Sequence, residues 1–209
     1  MRASLQQALR GALLAGLFAP AAAMAQLACG PTTVIGNPDD ITLSFKVCAD
    51  QFIGTATAKG TGWAAVGFST DQYMPGTDVF MAGVQSNGTT YGSDRFAYFR
   101  SPPVLDAQQD ATLISASESN GFTTFTFSRP LSTGDAMDYD LTVGSYYILL
   151  AYNEISDSLT DRHTFADPSD IAYTFAPVPV PEPSGALMVL AGLGLLGAGL
   201  ARRGQGKQG

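Results

Sequence analysis

Ile41-Thr42-Leu43-Ser44-Phe45-Lys46-Val47 places an apolar side chain at every odd position and a polar one at every even position. Successive side chains of an extended chain point to opposite faces, so this stretch predicts a strand with one face buried and the other wet. Working outward, further strand-like runs occupy Gln51–Ala58, Gly62–Ser69, Asp78–Gln85, Thr90–Phe99, Ala111–Glu118, Phe122–Arg129, Tyr146–Tyr152 and Ile171–Phe175. Asn87-Gly88 and Asn120-Gly121 each join two of these runs. Both dipeptides favour the positive φ that a type I′ hairpin turn requires. No 12-residue window in this region carries a helical apolar stripe. The pattern predicts an all-β domain over residues 26–176, an antiparallel β-sandwich of immunoglobulin-like kind, with no internal repeat.

The chain has 209 residues, enough for one domain and too few for two large ones. Charged residues make up 14% and apolar residues 45%, ample for a core. Lys and Arg number 11 against 18 Asp and Glu, a net −7, and the bases crowd the two ends. Between Gln26 and Ala176, six bases (Lys46, Lys59, Arg95, Arg100, Arg129, Arg162) stand against seventeen acids, leaving −11. So acidic a surface repels phosphate backbones, which excludes nucleic-acid binding.

The two ends read as addresses. Arg2 and Arg10 precede an apolar run from Gly11 to Ala23, and Ala23-Met24-Ala25 supplies the small residues of a cleavage site. Residues 1–25 therefore read as a secretory signal peptide, too short in its apolar part to span a bilayer. Cys29 lacks a lipobox, since Gln26 stands where Leu is required. At the other end, a Pro-rich linker (177–184) leads into seventeen uncharged residues (185–201), then a basic tail (202–209). As a helix the apolar stretch reaches about 26 Å, short but able to span, with the basic tail held in the cytoplasm. Pro181-Glu182-Pro183, the Gly/Leu stretch and Arg202-Arg203 together resemble the PEP-CTERM sorting signal of Gram-negative bacteria. The resemblance implies an inner-membrane-anchored precursor handled by signal peptidase and exosortase. The product would then be released or transferred to the cell surface or extracellular matrix.

Cys29 and Cys48 are the only cysteines, and export takes them to an oxidising compartment, so a disulfide between them is expected. It would pin the N-terminal segment to the first long strand. Two cysteines cannot build a four-cysteine zinc site, and no Cys-x-x-Cys-His attaches haem covalently. There is no Gly-x-Ser-x-Gly, no His-Glu-x-x-His and no Gly-rich phosphate loop opening a helix. Asp135, Asp138 and Asp140 in one loop offer oxygen ligands suited to calcium, although turn acids are more often simply solvated. Met74, before Pro75-Gly76, and His163, the only histidine, fall in two different connections. A thioether and an imidazole jointly ligate haem iron in some cytochromes, but an isolated Met usually packs and a lone His usually does nothing.

Gly62-Trp63-Ala64-Ala65-Val66-Gly67-Phe68-Ser69, Met74 and Gly76-Thr77-Asp78-Val79 resemble the start of a DOMON domain. That module occurs in dopamine β-hydroxylase-like monooxygenases, cytochrome–DOMON proteins and the cytochrome of cellobiose dehydrogenase. The resemblance continues through Asp106-Ala107-Gln108-Gln109-Asp110, Phe127–Asp135, Asp138, Ile148–Tyr152 and His163, covering Ile41 to Phe175. It implies an antiparallel β-sandwich. In cytochrome-like members it also implies a b-type haem clamped by a Met after the first motif and a His near the end, the positions of Met74 and His163. The Asp106–Asp110 stretch is nearer the monooxygenase-associated branch, although Gly134 stands where that branch often has a cysteine. The resemblance includes no copper-binding catalytic domain, so it implies no hydroxylation and no enzyme. Two functions follow from it: an exported haem protein serving extracytoplasmic electron transfer with a redox partner, or a non-catalytic module binding carbohydrate or another ligand of a surface polysaccharide. In the second, Tyr91, Tyr98 and Phe99 would offer a contact face.

Overall fold

The computed structural model describes residues 28–180. The expected signal peptide (1–25), the PEP tripeptide, the apolar helix (185–201) and the basic tail all lie outside the described residues. Eleven strands occur among those described, with no helix. They are β1 (Thr33–Asn37), β2 (Ile41–Cys48), β3 (Gln51–Lys59), β4 (Ala64–Ser69), β5 (Thr77–Val84) and β6 (Thr90–Ala97). β7 (Val104–Leu105), β8 (Thr112–Ser119), β9 (Phe122–Pro130), β10 (Tyr147–Tyr152) and β11 (Phe165–Pro168) complete them.

Two antiparallel sheets form, one ordered β1-β2-β3-β9-β8 and the other β11-β10-β4-β5-β6-β7. The alternation in β2 does what its pattern demands: Ile41, Leu43 and Phe45 are buried between the sheets. They meet Phe52, Phe125 and Phe127 of their own sheet and Val66, Phe68, Phe80, Ile148 and Leu150 of the other. Phe52 is the hub, with ring centroids of Phe45, Phe68, Phe127 and Phe175 at 5.1–5.7 Å. Cys29 and Cys48 are disulfide-bonded, tying the start of the described chain to the end of β2.

The Asn120-Gly121 turn has positive φ at both residues, 54° and 79°, as a type I′ hairpin requires. Asn87-Gly88 differs. Only Gly88 is left-handed, and its N–H donates to Gln85 O (2.7 Å), so the connection is one residue longer and the glycine takes the bulge position. Ile171–Phe175 is not a strand. The last strand is β11, where Ser169 Oγ accepts the Ile148 N–H (2.9 Å) and ends the ladder. Of the expected run, Tyr173 makes one isolated bridge to Tyr146, and Phe175 plugs the core.

Candidate functional site

β4 and β5 are buried at every position, so each strand covers both faces. One face is the sandwich core. On the other, Trp63, Ala65, Val79 and Met81 form a second apolar cluster, joined by Tyr91, Ala151 and Leu159. Beside that cluster, on the outer face of the six-stranded sheet, lies a cavity of about 570 Å³. That volume falls within the usual range of cofactor and small-molecule sites. Its floor is made of Ala65 and Gly67 of β4, Thr77, Val79 and Met81 of β5, Ala97 of β6 and Leu149 and Ala151 of β10. A Cβ on Gly67 would come within 2.4 Å of Thr77 Cγ2, so glycine at 67 makes room for the Thr77 methyl in the floor.

Met74 and His163 both line this cavity. β4 and β10 run antiparallel, pairing Ser69 with Tyr147 and Ala64 with Tyr152. Met74 follows the C-terminal end of β4 and His163 follows that of β10, so the two loops overhang the sheet from opposite ends. The Met74 turn is closed by the Thr77 N–H donating to Met74 O (3.2 Å). Gly76 takes φ +82°, a left-handed conformation natural to glycine, and its carbonyl accepts from Tyr139 Oη (2.6 Å).

The His163 loop is organised by Asn153, a buried polar residue whose importance sequence patterning does not show. Its Oδ1 accepts the N–H groups of Ile155 (3.0 Å) and Ser156 (2.9 Å), while its Nδ2 donates to Arg162 O (2.8 Å). The loop also docks on the residue that leads into β4: Trp63 N–H donates to Ser156 O (3.0 Å) and Asn153 N–H to Trp63 O (2.8 Å). A Cβ on Gly62 would fall 2.4 Å from Asn153 O, so glycine admits this approach. His163 is half-buried and its imidazole makes no hydrogen bond among the described residues. Burial, and then the neighbouring Arg162, hold its pKa below 6.5, which favours the neutral, ligating form at pH 7.

A second polar cluster lies inside the sandwich and does not border the cavity. Arg129, 3% exposed, is hydrogen-bonded by Asp78, stacks 5.2 Å over the Phe68 ring and donates to Tyr139 O (3.0 Å). Asp78, Asp94 and Asp138 present carboxylate oxygens within 4.8 Å of one another. With one guanidinium among three carboxylates, burial pushes Asp78 up to about 7 and Asp94 to about 6, and it raises Asp138 too. The acids of the 135–140 loop do not converge on one point. Asp138 turns in towards Arg129 (3.6 Å), whereas Asp135 caps Met137 N–H (2.9 Å) and Asp140 caps Thr142 N–H (2.9 Å). Of the aromatics expected to form a contact face, Tyr98 and Phe99 are exposed, but Tyr91 packs against the Trp63 cluster and donates to Asp157 (3.4 Å).

The donor set and walls fit a b-type haem. A thioether and a neutral imidazole face one apolar space, and Trp63 Nε1, buried beside it, has no hydrogen-bond partner among the described residues.

The family model of the DOMON domain matches residues 38–153, and that of the PEP-CTERM protein-sorting motif matches residues 179–203. DBH-like monooxygenase protein 2 of Mus musculus is 36% identical over 107 residues, 50% of this chain and 17% of its own length. The putative ferric-chelate reductase 1 of Danio rerio is 29% identical over 139 residues, 65% of this chain and 23% of its own length. The chain thus spans about a sixth to a quarter of these curated relatives. The cytochrome b domain of pyranose dehydrogenase from Coprinopsis cinerea shares the fold, with TM-score 0.50 and 17% identity over 66% of this chain and 80% of that one.

Proposed function

The chain belongs to the DOMON family, and on that premise we propose that it is an exported b-type haem protein that carries or stores electrons outside the cytoplasm. Met74 and His163 would hold the haem iron. The observation that carries this reading is that these two residues, far apart in sequence and presented from opposite ends of a sheet, line a single apolar cavity. The haem supplies one-electron chemistry when bound. The chain does the rest. Asn153 and the docked loop orient His163, the Gly76 turn orients Met74, and the apolar floor with the Trp63 cluster offers the ring a face to pack on. A Met/His pair sets the potential high for a haem, and burial raises it further. A relative named as a ferric-chelate reductase and a fold shared with a cytochrome b domain agree with this reading.

The PEP-CTERM motif marks the chain as an exported protein sorted by exosortase. The same proposal has residues 1–25 removed by signal peptidase and the 185–201 helix anchoring the precursor until exosortase acts. The chain acts as an electron-transfer module and not as a catalytic one. An absorbance spectrum of the exported protein, with and without dithionite, tests this directly. A sharp low-spin b-type spectrum on reduction, at one haem per chain, is expected. Protein that stays colourless with excess haem would instead favour the polysaccharide-binding module, with exposed Tyr98 and Phe99 as its contacts.

A further inference from the structure

Two of the six bases between Gln26 and Ala176 line the cavity. Arg100 follows β6 at the Met74 end, and Arg162 precedes His163 at the other. Both are exposed, so they stand where the cavity meets solvent, and neither side chain forms an ion pair or hydrogen bond among the described residues. In a domain with seventeen acids, two arginines with no partner among the described residues border one apolar space, an arrangement suited to an anion. The acids nearby do not supply it. Asp161 accepts from Ser156 Oγ (2.5 Å), and burial with Asp170 pushes Asp167 towards its protonated form.

The third unmet donor is Trp63 Nε1. The residue is 3% exposed and lines the same cavity, and its N–H has no acceptor among the described residues. A buried indole N–H normally finds a partner, because leaving it unpaired costs roughly what a lost hydrogen bond costs. Asn153 ties Trp63 and Arg162 together, bonding the carbonyl of each at 2.8 Å, so both donors belong to the His163 end.

We propose that the occupant of the cavity is an apolar body bearing carboxylates, and that Arg100 at one end and Arg162 with Trp63 at the other are the groups that bind those carboxylates. This rests on the haem reading above, under which the carboxylates are the two propionates. An arginine presents a planar fork of donors to a carboxylate, and such charge-assisted bonds are about twice as strong as neutral ones. The side chains therefore select the free acid over a neutral ester.

The test is a spectroscopic titration of the exported protein with ferric haem b and with its dimethyl ester, which keeps the iron and the ring but loses both charges. Wild type should bind the acid at least roughly tenfold more tightly than the ester. R100Q/R162Q should reduce that preference to about one, and W63F should reduce it partly. The low-spin spectrum should persist in each variant, because Met74 and His163 are untouched. Rising salt should weaken acid binding and leave ester binding unchanged. Equal affinity of wild type for acid and ester, or a preference that survives R100Q/R162Q, would overturn the inference while leaving haem binding intact. Wild type that binds neither ligand would remove the haem reading itself, and this inference with it. Both arginines are exposed, so R100Q/R162Q should melt with wild type, which separates lost recognition from lost folding.

Discussion

His163 is half-buried and Asp78 fully buried, and burial shifts their pKa values in opposite directions to one common result, the neutral form. For His163 the neutral form carries the lone pair a metal needs. For Asp78 it relieves the crowding of three carboxylates around Arg129. An acid whose folded pKa lies at about 7, above an ordinary value of 3.8, binds more protons folded than unfolded between those limits. Its contribution to stability is therefore complete below about pH 4 and is lost as pH rises through 7. Asp94, at about 6, has the same sign over a narrower window. Thermal melts at pH 5 and pH 8 should show wild type losing stability on going to pH 8, with Asp78→Asn losing less. The His163 contribution is common to both proteins and cancels in the comparison. Equal pH slopes would contradict the assignment. Met74 and His163 were legible in the sequence only as places in an ordered set of motifs, since neither residue alone carries a signal. Asn153 and Trp63 were not legible in their roles. An Asn at the end of a strand is commonplace, and its importance arises only where the folded loop brings Arg162 O, Ile155 N–H and Ser156 N–H around one amide.

The elements show why the period-two rule found most strands and overlooked what the site rests on. β2, β3 and β9 alternate because one of their faces is wet, at least in part. β4 and β5 read as unbroken apolar runs, Ala64-Ala65-Val66-Gly67-Phe68 and Val79-Phe80-Met81-Ala82, and that continuity is the signal of a strand buried on both faces. It marks the sheet whose outer face holds the cavity. β1 escaped notice because Gly36 and Asn37 dilute it, and β7 because two exposed residues are too few to make a pattern. The apolar 171–175 run was mistaken for a strand because core plugging and strand pairing look alike in composition. The disulfide belongs to the five-stranded sheet, away from the cavity. Closing a loop with sequence separation 19 restricts the unfolded chain, which stabilises by about 3 kcal/mol in the chain-entropy model. Cys29→Ser/Cys48→Ser should accordingly unfold at lower denaturant, by about that free energy, with haem affinity unchanged. A stability unaltered by the double substitution would show that β1 and β2 hold the N-terminal segment without it.

At the scale of the whole molecule, the PEP-CTERM motif marks the acidic domain as exported cargo. Intact-mass analysis of protein from an exosortase-bearing host should show loss of residues 1–25 and of the apolar segment 185–201, and full-length protein retained in the cytoplasm would contradict that route. The sandwich itself is a frame: both sheets build the core, one carries the disulfide, and the other turns its outer face into a floor over which two loops bring Met74 and His163. That the two residues jointly hold a haem is the central claim, and the reduced-state absorbance spectra of His163→Ala and Met74→Ala beside wild type test it most directly. His163→Ala should lose the haem spectrum, because the chain has no second histidine to replace the ligand. Met74→Ala should keep haem but become high-spin, with a lowered potential from loss of the thioether. Wild-type low-spin spectra in both variants would contradict the account.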